Sequence, residues 1–302
     1  MRSLKGTAAL IGTGYLGRRL GARLLAAGYT VRGLTRSPDH AREIAALGIV
    51  PFLADVTRPE TLPPALREAT HVFHLLGAMR GEEAALRLLH VEGTGHVLAA
   101  LPPALSRYVY VSSTAVYGQT EGEWVDETAV CEPTSLIGRL RCEAEALILK
   151  AHRERGVPAV ILRAGSIYRP GSPVNAQIRE GRYRVSTDPA KWMNHIYIED
   201  FLGGLVVAAE RGWPGEVYNL VDDEPHPAGA YFAALAEAIG VPAPPVTFKP
   251  PEEGCGALVR ESNKRCANTK FKTHCAWRLT FPTYRDGIRH AAGQGFAEAP
   301  VP

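Results

Sequence analysis

The chain has 302 residues, of which 46% are hydrophobic and 22% are charged, and its formal net charge is +3 at pH 7. This length allows a large buried core in one domain or in two unequal domains. Because the net charge is small and the basic residues are scattered, the sequence lacks the electrostatic footprint of a protein that binds nucleic acid or an anionic membrane surface. We therefore expect a small-molecule substrate as the partner, with no nucleic acid and no membrane.

Targeting and membrane segments are not predicted. The first residues include two basic side chains, but the apolar run that follows is short and ends in a glycine turn, not in a small-residue cleavage site. No apolar stretch approaches the roughly 20 residues that a membrane-spanning helix needs. A cytoplasmic location is expected.

The five cysteines are an odd number without closely spaced pairs, which is typical of reduced thiols. Cys255, Cys266, His274 and Cys275 are the residue types that bind zinc, but no C-x-x-C pair anchors them. No metal is expected, and buried or inert thiols are the simpler interpretation.

Short apolar runs alternate with longer amphipathic segments over the first half of the chain. The runs are rich in β-forming residues and predict strands at residues 7–11, 29–35, 49–53, 71–76, 107–113 and 159–164. The segments with helical spacing predict helices at residues 15–27, 38–47, 62–69, 82–101 and 136–155. Such alternation builds parallel β-α-β units with right-handed crossovers. The predicted fold class is α/β, with a Rossmann-type doubly wound parallel sheet.

The alternation weakens beyond residue 170, where proline-rich stretches interrupt short helices. We therefore predict a Rossmann domain over residues 1–170 and a smaller, mixed α/β substrate-side region over residues 171–302. The two regions are expected to share some segments, such as residues 165–200.

A G-x-G-x-x-G motif follows the first predicted strand and opens the first predicted helix. Gly12 permits a tight turn, Gly14 lets the backbone approach a pyrophosphate, and Gly17 allows the helix to pack closely on the sheet. The N–H groups at the start of the helix then face the anion. In this context the motif predicts a dinucleotide site, and a plain strand-helix turn is the simpler alternative.

The end of the second predicted strand distinguishes NAD from NADP. An NAD site usually places a carboxylate there, about 20 residues past the glycines, to bind the ribose 2′-hydroxyl. This chain has Arg36 there, between Thr35 and Ser37. A guanidinium flanked by hydroxyls suits a 2′-phosphate. NADP is the favoured cofactor and NAD is the alternative, in which Arg36 would be a solvated loop cation.

Eight segments, in order, resemble the short-chain dehydrogenase/reductase superfamily, in its NAD(P)-dependent epimerase/dehydratase group. They are GTGYLG (12–17), ADVTRPETL (54–62), HVFHLLGA (71–78), VEGT (91–94), YVYVSSTAVYG (108–118), ILRAGSIYRPG (161–171), NHIYIEDFLGGLVVAAE (194–210) and GEVYNLVDDEP (215–225). The resemblance implies that residues 1–170 bind NAD(P) and that Asp55 contacts the adenine. The cofactor-binding residues expected from the motif and the resemblance are Gly12, Thr13, Gly14, Tyr15, Leu16, Gly17, Thr35, Arg36, Ser37, Asp55, Val56, Leu75 and Gly77.

The family's catalytic group is an Asn, a Ser or Thr, and a Tyr-x-x-x-Lys pair. By position, the resemblance assigns the hydroxyl that polarises the substrate to Ser113, which is retained. The Asn position holds His90, the Tyr position holds Ile137 and the Lys position holds Arg141. The G-x-G-x-x-G spacing also departs from the G-x-x-G-x-x-G of extended members, so the chain is similar to an atypical subgroup. Dehydratase members carry Asp-Glu where this chain has Thr-Ala at 114–115, which argues against sugar dehydration.

Ile137 and Arg141 are one helical turn apart and share a face. Arg141 could hold the nicotinamide ribose or stabilise an alkoxide, but with a pKa above about 12 it cannot relay a proton. Ser113 and Arg141 are therefore the candidate catalytic residues. Other proton donors to consider, each with a simpler packing or structural interpretation, are Tyr117, Tyr168, His90 and His195.

Two functions fit these residues. The first is an atypical NADP(H)-dependent oxidoreductase or epimerase that acts on a small carbonyl or hydroxyl substrate. The second, favoured by Ile137, is a catalytically impaired protein that binds the nucleotide and senses the cofactor state.

Two further expectations concern partners. Lys264 and Arg265 either meet an anionic substrate group or form a solvated turn, and the turn is the default. In relatives, the helices predicted here at 82–101 and 136–155 commonly pair between two copies, so a homodimer is expected by analogy alone.

Overall fold

Strands and helices alternate over residues 5–77, 81–248 and 262–297, the parts of the chain that this computed structural model describes. The strands are β1 (Thr7–Ile11), β2 (Thr30–Thr35), β3 (Val50–Leu53), β4 (His71–His74), β5 (Arg107–Ser113), β6 (Glu123–Val125), β7 (Ala159–Ala164), β8 (Ser166–Tyr168), β9 (Trp192–Met193), β10 (His195–Tyr197), β11 (Val217–Leu220), β12 (His226–Pro227) and β13 (Lys264–Cys266). The α-helices are α1 (Tyr15–Ala26), α2 (Pro38–Ala46), α3 (Pro63–Leu66), α4 (Glu83–Arg87), α5 (Gly93–Ala100), α6 (Leu136–Arg155), α7 (Pro173–Arg179), α8 (Ile198–Arg211), α9 (Ala228–Ile239), α10 (Thr269–Cys275) and α11 (Tyr284–Gly293).

Seven parallel strands form the main sheet in the order β11-β7-β5-β4-β1-β2-β3. This order confirms the predicted Rossmann-type doubly wound α/β fold, and each of the predicted strands is present. The seventh strand, β11, has no counterpart among the predicted strands. The strand order reverses between β1 and β4, and ligands of such sheets bind outside the carboxyl ends of the strands at this point.

Helices cover both faces of the main sheet. On one face, Leu20 of α1 and Phe201 of α8 belong to the larger apolar cluster. On the other face, Val97 of α5 and Ile148 of α6 belong to a second cluster. The buried positions of α6 recur every three or four residues, so one stripe of this helix packs on the sheet and the opposite side meets solvent.

Segments beyond residue 170 return to the first part of the chain. Strand β11 lies beside β7 at the edge of the main sheet, and β13 pairs in parallel with β6. The domain boundary at residue 170 stays a prediction, as does the homodimer. The helix predicted at 82–101 is divided into α4, a π-helical turn (Leu88–Glu92) and α5. No helix in the described residues is both long and apolar enough to cross a membrane.

A buried ion pair ties α6 to the main sheet. Nη2 of Arg163, on β7, lies 2.7 Å from Oε2 of Glu145, and the two side chains are 8% and 5% exposed. The Ser112 hydroxyl donates to Oε1 of Glu145 at 2.5 Å, so β5 joins the same network. Burial alone would lower the pKa of Arg163, but the hydrogen bonds and charge of Glu145 raise it above its ordinary value. Arg163 therefore keeps its positive charge in this buried position, and its hydrogen bonds to Glu145 compensate for the lost contact with water.

Removing one partner leaves an uncompensated buried charge. We expect Glu145→Ala to lower the free energy of unfolding by about 3–5 kcal/mol. Glu154→Ala is the matched control, because Glu154 lies on the same helix, is 60% exposed and pairs with Lys150 only at 4.0 Å. The control should cost less than about 1 kcal/mol. Chemical denaturation measures both values, and equal losses would contradict the structural role of the ion pair.

Candidate functional site

A cleft of about 710 Å³ lies at the carboxyl ends of the strands around the point where the order reverses. It contains most of the residues predicted to bind the dinucleotide. Those that line it are Gly12, Thr13, Gly14, Thr35, Arg36, Ser37, Asp55, Val56 and Gly77. The other predicted residues lie elsewhere: Leu16 and Leu75 line an adjacent cleft, Tyr15 lines a separate cavity, and Gly17 packs beneath the turn.

The glycine turn has the shape that a pyrophosphate requires. Gly12 has a φ of +100°, a conformation that L side chains rarely adopt. A Cβ at Gly17 would lie 2.0 Å from the Gly12 carbonyl oxygen, whereas a Cβ at Gly14 would meet nothing within 4 Å. Gly14 is also the N-cap of α1, and no side chain caps the first N–H groups of this helix. These donors are available to an anion, so the cradle fits a dinucleotide phosphate.

The rim of this cleft is preorganised by hydrogen bonds between residues that are close in sequence. Oγ1 of Thr35 accepts from the Ser37 N–H at 3.2 Å, and Oγ of Ser37 accepts from the His40 N–H at 3.3 Å, which caps α2. Between these residues, Arg36 is exposed and makes no hydrogen bond or ion pair within the described residues. Asp55 is held in place as well, because its Oδ1 accepts from the N–H and hydroxyl of Thr57 at 2.9 Å each.

His40 also lines this cleft, and it was not among the residues predicted from the sequence. Its Nε2 lies 2.8 Å from the Thr13 carbonyl oxygen and its Nδ1 lies 3.0 Å from Oε2 of Glu43. The imidazole therefore joins α2 to the glycine turn. The Ser-Pro-Asp-His order, with a cap and a proline at the helix start, was the signal that could have placed it there.

A second cleft of about 480 Å³ adjoins the first at the carboxyl ends of β4, β5 and β7. Leu76 and Gly77 line both clefts, so the two are neighbours. Both candidate catalytic residues, Ser113 and Arg141, line the second cleft. A ligand in the first cleft can thus extend past Gly77 to the side chains of the second.

Ser113 is the last residue of β5, at the mouth of the second cleft. Its Oγ accepts from the Ala115 N–H at 3.1 Å, which fixes the side chain at the start of a short 3₁₀ turn. Its hydroxyl hydrogen has no acceptor among the described residues, so it can donate to an oxygen of a ligand. This geometry is suited to polarising a carbonyl.

Arg141 is buried, and its guanidinium ties two strand ends together. Nη1 donates to the Tyr110 hydroxyl at 3.0 Å and to the Val111 carbonyl oxygen at 2.9 Å, while Nη2 donates to the Leu76 carbonyl oxygen at 2.7 Å. Its Nε has no partner among the described residues. The guanidinium therefore fixes the wall between the clefts, and its contact with a cofactor stays a prediction. Ile137, one turn earlier, packs into an apolar cluster with helix α4 and does not line either cleft.

None of the four other candidate proton donors lines either cleft. The Tyr117 hydroxyl donates to Oδ1 of Asn219 at 2.8 Å, and burial raises the pKa of Tyr117. The Tyr168 hydroxyl donates to a main-chain oxygen of α11 at 3.3 Å, and burial raises its pKa as well. His195 lies against a second histidine with its pKa lowered by burial, and His90 is buried in the π-helical turn.

The solvated-turn interpretation is wrong for Lys264, whose side chain is only 6% exposed. Its Nζ donates to the Tyr117 carbonyl oxygen at 3.1 Å and to Oγ of Ser262 at 2.8 Å, and the residue lines the second cleft. Burial lowers the pKa of Lys264 to about 8. Arg265 points elsewhere, because its guanidinium lies over the rings of Trp124 and Trp192.

The residues considered for zinc are spread through the structure. Cys266 is buried in a small apolar cluster beside Val116, and Cys275 donates to the Arg211 carbonyl oxygen at 3.7 Å. Cys255 lies outside the described residues. Within residues 5–77, 81–248 and 262–297, no group of three or more His, Cys, Asp or Glu side chains could hold a metal ion.

Comparisons with known proteins agree with this geometry. The sequence profile of the NAD dependent epimerase/dehydratase family matches residues 12–220. A 4-hydroxy-2-methyl-3-oxo-4-farnesyl-3,4-dihydroquinoline-1-oxide ketoreductase of Stigmatella aurantiaca is 31% identical over 245 residues, covering 77% of this chain and 72% of that protein. A 3-diazoavenalumate denitrifying reductase of a Streptomyces species is 27% identical over 300 residues, covering 91% and 96% of the two chains. A functionally unknown conserved protein of Silicibacter pomeroyi has a solved structure with TM-score 0.76 at 30% identity, covering 96% of this chain and 99% of that one.

Two glycines of the motif should respond differently to an added methyl group. Gly17→Ala places its Cβ against the Gly12 carbonyl oxygen, so we expect a loss of about 1–3 kcal/mol in the free energy of unfolding. Gly14→Ala, with open space around its Cβ, should change the free energy of unfolding by less than about 0.5 kcal/mol but should weaken dinucleotide binding. Denaturation of the protein and titration with the dinucleotide measure the two effects. Unchanged affinity in Gly14→Ala would exclude close approach of the phosphates to this residue.

Proposed function

The chain belongs to the NAD dependent epimerase/dehydratase family, and from this premise we propose that it is an NADP(H)-dependent oxidoreductase that reduces a ketone to a secondary alcohol. The observation that carries the proposal is the position of Ser113, in a cleft that adjoins the dinucleotide cleft at Leu76 and Gly77. A hydroxyl donor there can meet a substrate oxygen beside the reactive end of the cofactor.

Arg36 supports NADP as the preferred form of the cofactor. Its guanidinium is exposed at the rim of the cleft where an NAD-preferring site usually has a carboxylate. Thr35 and Ser37 hold the loop on either side of it, and a ribose 2′-phosphate bound at this rim would meet the guanidinium. Arg-phosphate hydrogen bonds are charge-assisted and stronger than neutral ones.

The residues of the chain then act on the substrate. Bound nicotinamide would supply the hydride, and Ser113 polarises the carbonyl oxygen. Arg141 holds the main chain at Leu76 and Val111 in place through its hydrogen bonds. The names of the two curated relatives, a ketoreductase and a reductase, favour reduction over epimerisation. Ile137 favours the cofactor-sensing alternative, because it supplies no proton donor.

Cofactor preference tests the role of Arg36. Arg36→Asp should weaken NADPH binding on the order of 10–100-fold while NADH binding weakens much less, because one charge-assisted contact is lost. Arg42→Asp makes the same change of charge on α2, outside the cleft, where the Arg42 side chain is 77% exposed. This control should leave the preference unchanged. If Arg36→Asp keeps the wild-type preference for NADPH over NADH, the assignment is wrong.

Turnover of ketones tests the reaction itself. Wild-type protein should oxidise NADPH in the presence of members of a ketone panel, and Ser113→Ala should lower kcat on the order of 10²-fold with little change in NADPH affinity. Ser106→Ala, at an exposed position outside both clefts, is the control. NADPH binding without turnover of any ketone by the wild type would favour the sensing protein.

A further inference from the structure

The Lys264 ammonium reaches the second cleft from the far end of the chain. Lys264 is the first residue of β13, which pairs with β6 so that Lys264 lies opposite Glu123. From there its Nζ donates to the Tyr117 carbonyl oxygen and to Oγ of Ser262. An ammonium has three N–H donors, and the third has no acceptor among the described residues. Because the residue lines the second cleft, that donor is available to a ligand there.

The groups considered from the sequence do not supply a proton in this cleft. The Ser113 hydroxyl is too weak an acid to act alone. A guanidinium does not act as a proton donor in catalysis, and that of Arg141 is committed to three acceptors. Ile137 has no proton to give, and the tyrosines and histidines considered above are held in buried networks away from the cleft.

The surroundings of Lys264 make its ammonium a better acid than an exposed lysine. Burial lowers the pKa of Lys264 to about 8, and the positive charge of Lys191, which lines the same cleft, acts in the same direction. The neighbouring thiol of Cys266 acts in the opposite direction. The guanidinium of Arg141 also lines the cleft. General acids are most effective when their pKa lies near the working pH.

We propose that Lys264 is the catalytic acid of the ketone reduction, in the place that a tyrosine holds in other members of the family. This inference rests on the proposed function. Bound NADPH would supply a hydride to the carbonyl carbon, the carbonyl π bond would break, and the carbonyl oxygen would take its proton from the Lys264 ammonium. The products would be the alcohol, NADP⁺ and a neutral Lys264 amine, which takes up one proton from the buffered solvent before the next turnover, so that each turnover consumes one proton. Ser113 hydrogen-bonds the same oxygen.

Two substitutions separate proton transfer from simple bracing of the Tyr117 carbonyl. Lys264→Met removes the acid, and Lys264→Arg keeps a positive charge and hydrogen-bond donors but cannot release a proton. Lys150→Met is the matched control, because Lys150 lies on the outer face of α6 with its side chain 62% exposed. For each variant, NADPH affinity, kcat for ketone reduction and the pH profile of kcat are measured. The Lys264 titration is followed in cofactor-free protein by ¹³C NMR of labelled lysine, with the signal assigned by its loss in Lys264→Met.

Both Lys264 variants should lose on the order of 10²–10⁴-fold in kcat with NADPH affinity retained, while Lys150→Met behaves as wild type. Wild-type kcat should fall as the pH rises through about 8, because the acid must be protonated, and the Lys264 signal should titrate near 8 and not near the ordinary value of about 10.4. If Lys264→Met or Lys264→Arg keeps the kcat of the wild type, the lysine proposal alone would be overturned. The same holds if the Lys264 NMR signal titrates at about 10.4. Absence of wild-type turnover with every ketone would overturn the proposed function, and the lysine proposal with it.

Discussion

The close approach of α1 to the glycine turn is the constraint on which the rest of the site depends. Only a residue without a Cβ fits at Gly17, because the Gly12 carbonyl oxygen occupies the space a methyl group would take. This contact brings the uncapped start of α1 to the carboxyl ends of β1 and β4, where the strand order reverses. The first N–H groups of α1 therefore lie beside the first cleft, and N–H groups at the start of a helix suit an anion.

Helix α6 holds the main sheet and the wall of the second cleft together through side chains on one face. Along one face of α6, Ile137 packs into an apolar cluster, Arg141 binds the ends of β4 and β5, and Glu145 pairs with Arg163 of β7. The Arg141 guanidinium, with its three acceptors, holds the wall of the second cleft, and the buried Glu145–Arg163 ion pair holds α6 on the sheet behind it. Lys264, from a distant part of the sequence, also lines this cleft.

Local patterns were sufficient to predict six of the seven strands of the main sheet and a first cleft lined by most of the predicted cofactor-binding residues. The strands and the glycine turn follow from apolar periodicity and from steric limits on a few residues, and α6 has the predicted bounds. Strand β11 was not predicted because it lies beyond residue 170, where the regular alternation of strands and helices weakens. The burial of Lys264 escaped prediction because it depends on the pairing of β13 with β6, which are distant in sequence. No local pattern encodes such a contact.

Titration calorimetry of the purified protein with NADPH and with NADH tests the central claim most directly, since everything else depends on a dinucleotide lying across the glycine turn. We expect saturable binding of one NADPH per chain, with NADH bound more weakly. Absence of heat or of saturation for both nucleotides would contradict the account, whatever activity the protein proved to have.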